Sequence, residues 1–401
     1  MTPGDKVEFN VNISNSSNVK VLYRLIVSCE EDNGLFSGLS VKAENSTSNT
    51  FDFIQNVPGI TVVSKYVLIE PSDTTSKTLK MTVELPTTAG NEYQDKNCKI
   101  VCEVEAIQGN AKVEEDSTQL KLYNATDFVT YNELANSTDE DTKALMSSFS
   151  SLELMEDVDL TSDVNFSIPL ELNNSVTIDG NGKTLSIPNG ASQRVININD
   201  TTEDLTITLK NVIIDGPTEG YQNRGISIYG NTGTVKLVLD NCKFTCSYYP
   251  LAIQSYNENI EVVVKNTTLV GYCGVQTYSE NSKLSFENCT LIGNNIYEKN
   301  SDNDFAVINV KEGAASSVLN FKNCNIVSTS TQGNYEYFLD IGAGCSVDFE
   351  GCTFKKGTQA VTSADDDLLT VVTGDDIVNN MCLSCGDTYT LKIDGVEKTI
   401  S

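Results

Sequence analysis

The feature that most constrains this chain is a repeat that begins near residue 152. An apolar strand end is followed by a charged residue, Asn and a small residue. The unit occurs as Leu209-Lys210-Asn211-Val212, Leu239-Asp240-Asn241-Cys242, Val264-Lys265-Asn266-Thr267, Phe286-Glu287-Asn288-Cys289 and Phe321-Lys322-Asn323-Cys324. It returns with Gly in place of Asn as Phe349-Glu350-Gly351-Cys352, and from Asn211 the intervals are 30, 25, 22, 35 and 28 residues. A second ladder runs between these units: Gly225-Ile226-Ser227-Ile228, Leu251-Ala252-Ile253, Gly274-Val275, Ala306-Val307-Ile308, Phe338-Leu339 and Ala360-Val361. Two ladders in constant order with variable spacing describe the coils of a solenoid, in which strands stack in register and the turns absorb insertions. Stacked strands lie about 4.8 Å apart, so equivalent residues form rows along the axis. Asn tolerates a left-handed backbone at a sharp corner, and its amide can bond its counterpart in the next coil. Cys or Thr after it is small enough for a crowded inward position.

These rows, with Thr177-Ile178-Asp179-Gly180-Asn181-Gly182-Lys183-Thr184-Leu185 as an early coil, resemble the pectate-lyase-like right-handed parallel β-helix over roughly residues 150–365. The fold hosts lyases, hydrolases, adhesins and inert stalks alike, so function has to be argued from a site. The resemblance implies two kinds of catalytic set: calcium-binding carboxylates with an Arg or Lys base, or clustered Asp acting as acid and base. Asp179, Asp215 and Arg224 lie in successive early coils and are the catalytic candidates if the chain is an enzyme. Asp179-Gly180 and Asp215-Gly216 are also ordinary turn dipeptides. Neither an Asp-Asp pair within the coils nor Gly-His-Gly is present. Calcium through oxygen ligands would fall to Asp302 and Asp304, or to Asp365, Asp366 and Asp367. Tyr248, Tyr249, Tyr256, Tyr272 and Tyr278 fall near turns of neighbouring coils, where a row of rings would offer apolar faces and polar hydroxyls for stacking on sugars. Stacking between coils in the interior is the alternative.

Ahead of the solenoid, Val7-Glu8-Phe9-Asn10-Val11-Asn12-Ile13, Leu79 to Leu85 and Ile100 to Ala106 alternate apolar and polar residues with period two. Strict alternation describes antiparallel strands with one face on a core, and several of them suggest a β-sandwich. Pro3-Gly4-Asp5-Lys6-Val7, Val21-Leu22-Tyr23-Arg24-Leu25, and Ala89-Gly90-Asn91-Glu92-Tyr93-Gln94 leading to Val104-Glu105-Ala106-Ile107-Gln108 resemble the TasA/camelysin family. That resemblance covers about a quarter of the chain and lacks the family's usual opening strand. It implies a secreted protein of a Gram-positive bacterium, with a jelly-roll-like sandwich and a place at the cell surface or in biofilm matrix. The expected organisation is an all-β chain: a smaller antiparallel sandwich over 1–115, a linker over 116–125, and a capped β-helix over 126–401. The amphipathic stretch from Asp139 to Phe149 is expected to be the capping helix, and Tyr389 to Ile400 a closing hairpin.

Composition narrows the chemistry. The 401 residues contain no His, which removes Ser-His-Asp and Cys-His nucleophile systems and His-ligated metal centres. Only Arg24, Arg194 and Arg224 supply guanidinium groups. The net charge of -28 repels nucleic acid, anionic lipid and, without a bridging cation, anionic polysaccharide. No apolar run is long enough to span a bilayer, and no signal peptide precedes Met1, so a leader is expected upstream of a chain that begins inside a domain. Of the 12 Cys, Cys242, Cys289, Cys324 and Cys352 fall in the ladder and read as small core hydrophobes. Cys382-Leu383-Ser384-Cys385 is a lone CxxC without a second pair spaced for zinc. Three readings stand: a non-catalytic adhesin or matrix-type protein that binds glycan or protein along its β-helix, a calcium-dependent polysaccharide lyase, and a passive stalk.

Overall fold

The computed structural model describes all residues except 46–51, 72–76, 114, 161–169, 188–193, 200–203, 217–222, 231–232, 255–258, 296–305, 312–315, 331–336, 384–387 and 401. The chain divides into two compact units, Met1–Leu134 and Ala135–Ser401. No helix among the described residues is long and apolar enough to cross a membrane.

The N-terminal unit contains two antiparallel sheets. In one, Lys77–Glu84 lies between Lys6–Ile13 and Ser40–Asn45. In the other, Val21–Glu30 pairs along its whole length with Lys99–Gln108, and also with Val62–Ser64 and Val67–Ile69. Alternate residues of both sheets meet in one core, with Leu25 and Val27 from one and Ala43, Met81 and Val83 from the other. The period-two alternation therefore forms a sandwich, as expected. The boundary differs. Residues 119–134, placed by the sequence reading in a linker and the start of the solenoid, belong to this unit. Gln55 exchanges two bonds with the backbone of Lys121, at 2.7 and 2.8 Å. Asp127 lies on a helix at Ala125–Ala135 that the sequence reading missed, and its carboxylate accepts from Thr61 N, Thr61 Oγ1 and Tyr123 N. Burial is the largest influence on that carboxyl and pushes it up to about 6 against those bonds.

The second unit is a parallel β-helix. Each complete coil contributes one strand to each of three parallel sheets. One coil runs Val235–Asp240 in the first sheet, Lys243–Thr245 in the second and Tyr249–Ile253 in the third, before Ile260–Lys265 rejoins the first. Inward positions among the described coils are predominantly apolar, with Thr277 an exception in the third sheet. In the first sheet Leu209, Leu239, Val264, Phe286, Phe321 and Phe349 share a row, and the last three rings stack at 4.7 and 5.0 Å. Ring spacing close to coil spacing shows why aromatic residues recur at that position.

The Asn corner joins the first sheet to the second. Asn211, Asn241, Asn266, Asn288 and Asn323 have φ between 50° and 54°, in the left-handed region. Asn241 Nδ2 donates to Asn211 Oδ1 at 2.7 Å, while Asn266 turns instead to Asp240 at 3.0 Å. At Gly351, φ is 62° and a Cβ would lie 2.7 Å from Asn323 Oδ1, so glycine closes the row. The thiols that follow point back along the ladder. Cys242 donates to the carbonyls of Leu209 and Asp240, and Cys289 to those of Val264 and Glu287. Burial pushes the Cys242 thiol up to about 11, as befits an inert packing group.

Asp139 caps the helix Glu140–Ser147 by accepting from Thr142 N, and Met146 is its buried residue. Thr390–Ile393 extends the first sheet and folds back on Val396–Glu397, which makes the expected closing hairpin. The second ladder ends differently from expectation. Met381–Leu383, not Ala360-Val361, continues the third sheet. Val361 and Ala364 instead pack on Val270, Ile292 and Val327, outward residues of the second sheet.

Candidate functional site

Alternation along a strand gives each sheet an outer face, and the three outer faces differ. On the second sheet, Val361, Ala364 and Leu369 cover the apolar outward residues, and Asn294 bonds both the N–H and the carbonyl of Val361. That face is filled by the chain itself.

On the first sheet the outer strand ends carry a row of alternating charge: Asp179, Lys210, Asp240, Lys265, Glu287, Lys322 and Glu350. Neighbours pair at 3.0 Å for Lys210 with Asp179, and at 3.7 Å for Lys265 with Glu287 and Lys322 with Glu350. A shallow depression of about 300 Å³ lies among Lys265, Glu287, Asn320, Lys322, Asp348 and Glu350; its lysines and glutamates are paired, whereas Asp348 Oδ1 is enclosed without a partner.

The third sheet presents something else. Its inward row, Ile196, Ile226, Leu251, Val275, Ile308 and Leu339, is apolar. One residue on, the outward row reads Asn197, Ser227, Ala252, Gln276, Asn309 and Asp340. Outward polar residues would ordinarily meet water, yet none of these is more than 3% exposed. Asn197 Nδ2 donates to both oxygens of Glu171, and Lys311 Nζ lies 3.3 Å from Asp340. Asn197 Oδ1, Ser227 Oγ and Asn309 Oδ1 are enclosed without a hydrogen-bond partner, and so are Asn199 Oδ1 and the Nε atoms of Arg194 and Arg224. Each enclosed, unpaired polar atom costs about 1–3 kcal/mol, and most proteins keep few of them.

Two residues further along the strands lies a more open row, with Tyr229 44% exposed and Gln254, Tyr278 and Lys311 half-buried. Gln254 and Gln276 meet at 3.5 Å, and Gln276 reaches the Tyr278 hydroxyl at 3.4 Å. At the other end of the strands Arg194 and Arg224 are register partners. Their guanidinium groups face the rings of Tyr229 at 5.9 Å and Tyr249 at 6.0 Å. Burial, then the nearby Arg194 charge, lowers the Arg224 guanidinium from its ordinary value.

The structure rearranges the sequence-based candidates. Asp179 is on the first sheet, Asp215 on the second and Arg224 on the third, so they share no face. Asp179 braces a corner, bonded by Asn211 Nδ2 and Asn181 N. Tyr248, Tyr249 and Tyr272 do not form an exposed platform. They are at most 8% exposed and pack with Ala252 and Cys273, with Tyr248 centred 3.7 Å from Tyr249 and 5.5 Å from Tyr272. Tyr278 lies on the open row, and Tyr256 lies outside the described residues, as do Asp302, Asp304 and Cys385. Asp366 accepts from Leu368 N in a local turn, and Asp365, Asp366 and Asp367 form no metal-sized cluster among the described residues. The polar row went unread although a signal was present. Ile196-Asn197-Ile198, Ile226-Ser227-Ile228, Ile308-Asn309-Val310 and Leu339-Asp340-Ile341 each set one polar residue between two apolar ones.

No family model matches the sequence, and no curated protein matches it. Among solved structures, the chain is similar to the catalytic domain of a GH87 alpha-1,3-glucanase in complex with tetrasaccharides, at 10% identity over 90% of this chain and 80% of that one, with a TM-score of 0.24. Two GH87 alpha-1,3-glucanase catalytic domains in complex with nigerose align at 9% identity over 98% of this chain and 88% of theirs, with TM-scores of 0.18 and 0.19. At TM-scores this low the overlays transfer neither substrate nor catalytic residues to this chain.

Proposed function

We propose that the protein is a non-catalytic surface adhesin or matrix-type protein, and that the outer face of its third sheet binds a neutral polysaccharide. The observation that carries this reading is the enclosed row of Asn197, Ser227 and Asn309, whose unpaired oxygens lie beside the half-open row of Tyr229, Gln254 and Tyr278. Amides and hydroxyls match sugar hydroxyls in donor and acceptor capacity, and tyrosine faces match the apolar faces of pyranose rings. The net charge of -28 favours a neutral polymer over an acidic one. Secretion or display on a Gram-positive surface rests on the resemblance of the first unit to the TasA/camelysin family, which its antiparallel two-sheet core supports.

Catalysis fits less well. Glycoside hydrolysis needs two carboxyl groups about 5–10 Å apart. On the outward row the described carboxylates are Glu171 and Asp340, separated by six strand spacings, or roughly 29 Å. A calcium-dependent lyase would need Asp179, Asp215 and Arg224 in one groove, and they are on three sheets.

The test is retention on a panel of neutral and acidic polysaccharides, with new reducing ends and unsaturated products followed in the same samples. We expect retention on a neutral polymer without turnover. Tyr229→Ala and Tyr278→Ala should each weaken it by about 2- to 10-fold, the worth of one ring contact. Turnover would make the protein an enzyme, and no retention on any polymer would leave a passive stalk.

A further inference from the structure

In the N-terminal unit the strand Val21–Glu30 and its partner Lys99–Gln108 are joined end to end, with Glu30 opposite Lys99. Cys29 stands one residue from the end of the first strand, and Cys98 immediately precedes the second. Between them a tight turn brings in Asp32. Glu31 has φ 53° and Gly34 has φ 100°, and one oxygen of Asp32 accepts from the backbone N–H groups of Gly34, Leu35 and Phe36 at 3.0, 2.8 and 3.2 Å. The two segments are then tied together. Asn33 N donates to Asn97 O, Asn97 N to Asn33 Oδ1, and Lys96 Nζ to Asn33 O. As a result the Cys29 thiol, the Cys98 thiol and an Asp32 carboxylate oxygen all lie within 4.8 Å of one another. No other such group of three occurs among the described residues.

The geometry points to a site for one thiophilic divalent cation, of the zinc class, held by Cys29, Asp32 and Cys98. Tetrahedral zinc bonds of about 2.3 Å to sulfur and 2.0–2.2 Å to oxygen place ligand atoms roughly 3.4–3.9 Å apart. Closing from within 4.8 Å to that spacing asks only small side-chain rotations. The ligands differ in freedom in a way that suits this. Cys29 is buried, whereas Asp32 and Cys98 are half-buried, which leaves a path for the ion and a fourth position for water. Each thiol gives its proton to solvent when its sulfur bonds the ion. The bound ion would tie the Glu30–Gly34 turn to the start of the partner strand. The site belongs to the N-terminal unit, and it stands or falls independently of the proposed glycan face.

Cobalt(II) is the probe, because thiolate ligation gives a near-ultraviolet charge-transfer band and tetrahedral geometry gives visible bands. Full-length, fully reduced protein titrated without oxygen should show both bands, saturating at one ion per chain and lost on adding zinc. Cys98→Ser should abolish the charge-transfer band, and Cys352→Ser should leave it unchanged. Asp32→Asn keeps the turn, because its side-chain oxygen still accepts from Gly34, Leu35 and Phe36. It should weaken cobalt at least tenfold while the melting curve of the metal-free protein stays in place. No band in reduced protein, a band that survives Cys98→Ser, or an Asp32→Asn variant that binds as tightly as the parent would overturn the site. So would a Cys29–Cys98 disulfide in metal-free protein isolated from its natural source.

Discussion

The outer faces of the first and third sheets are built on the same coils, at the same strand spacing, over the same apolar interior, and they have opposite chemistry. On the first sheet, side chains answer one another from coil to coil. Asp179 meets Lys210, Lys265 meets Glu287, Lys322 meets Glu350, and Asp348 Oδ1 is the exception, enclosed without a partner. On the third, Asn197, Asn199, Ser227 and Asn309 present enclosed oxygens that their neighbours do not bond. A parallel solenoid makes the first arrangement easy, since alternating signs along a row satisfy each other in every coil. A row that forgoes this is poor as scaffold, and under the proposed function a bound glycan is what would complete it.

The largest expected difference between the faces concerns their ion pairs. Asp340 is fully enclosed and Lys311 only 19% exposed, whereas Lys322 and Glu350 are 53% and 68% exposed. Lys311→Met should cost about 2–4 kcal/mol, because it takes the Lys311 ammonium from an enclosed carboxylate. Lys322→Met should stay within about 0.5 kcal/mol, because water screens the pair it breaks. Denaturant midpoints for the two variants measure this directly. Equal costs would mean that the two faces are alike in solvation, and the comparison would fail.

The next effect is smaller and depends on pH. Burial works against ionisation of Asp179, but the bonds from Asn211 and Asn181 and the charge of Lys210 outweigh it, so the carboxyl sits below its ordinary value. A depressed carboxyl contributes stability that is present above the unfolded value near 4 and is lost as pH falls through the folded one. Asp179→Asn should therefore cost about 1 kcal/mol at neutral pH, with the cost shrinking once pH falls below about 4. If urea midpoints show a cost independent of pH, Asp179 acts only as a turn residue.

How far these faces could be read in advance follows from what spacing encodes. The Asn ladder was legible because a left-handed corner accepts few residue types, and Asn211, Asn241, Asn266, Asn288 and Asn323 all occupy it. The aromatic and aliphatic rows were legible for a similar reason, since inward positions strongly favour apolar groups. Which sheet a residue joins was harder, because coil lengths vary and turns absorb the difference. Asp179, Asp215 and Arg224 were near in sequence and fell on three sheets for that reason. Burial of an outward residue was the least legible. Asn197 between Ile196 and Ile198 reads as a surface residue, and only the folded chain shows it enclosed. Cys29, Asp32 and Cys98 were invisible in a different way, because strand pairing brings together residues that no local motif connects.

The smallest expected change is the most discriminating, and it compares two serines. Ser317, fully buried, donates to Ser279 O at 2.7 Å and accepts from Ser282 N at 3.1 Å. Ser317→Ala should cost about 1–2 kcal/mol, because it leaves a buried N–H without that acceptor. Ser227 is equally buried, but its Oγ has no partner. Ser227→Ala removes an enclosed hydroxyl and breaks no bond of the folded chain, so stability should change by less than about 0.5 kcal/mol or rise slightly. Its effect should appear instead as weaker retention on the polysaccharide that the parent binds. A Ser227→Ala variant that lost stability as Ser317→Ala does, with retention unchanged, would show that the hydroxyl serves the scaffold, and would leave the third sheet no more a binding face than the first.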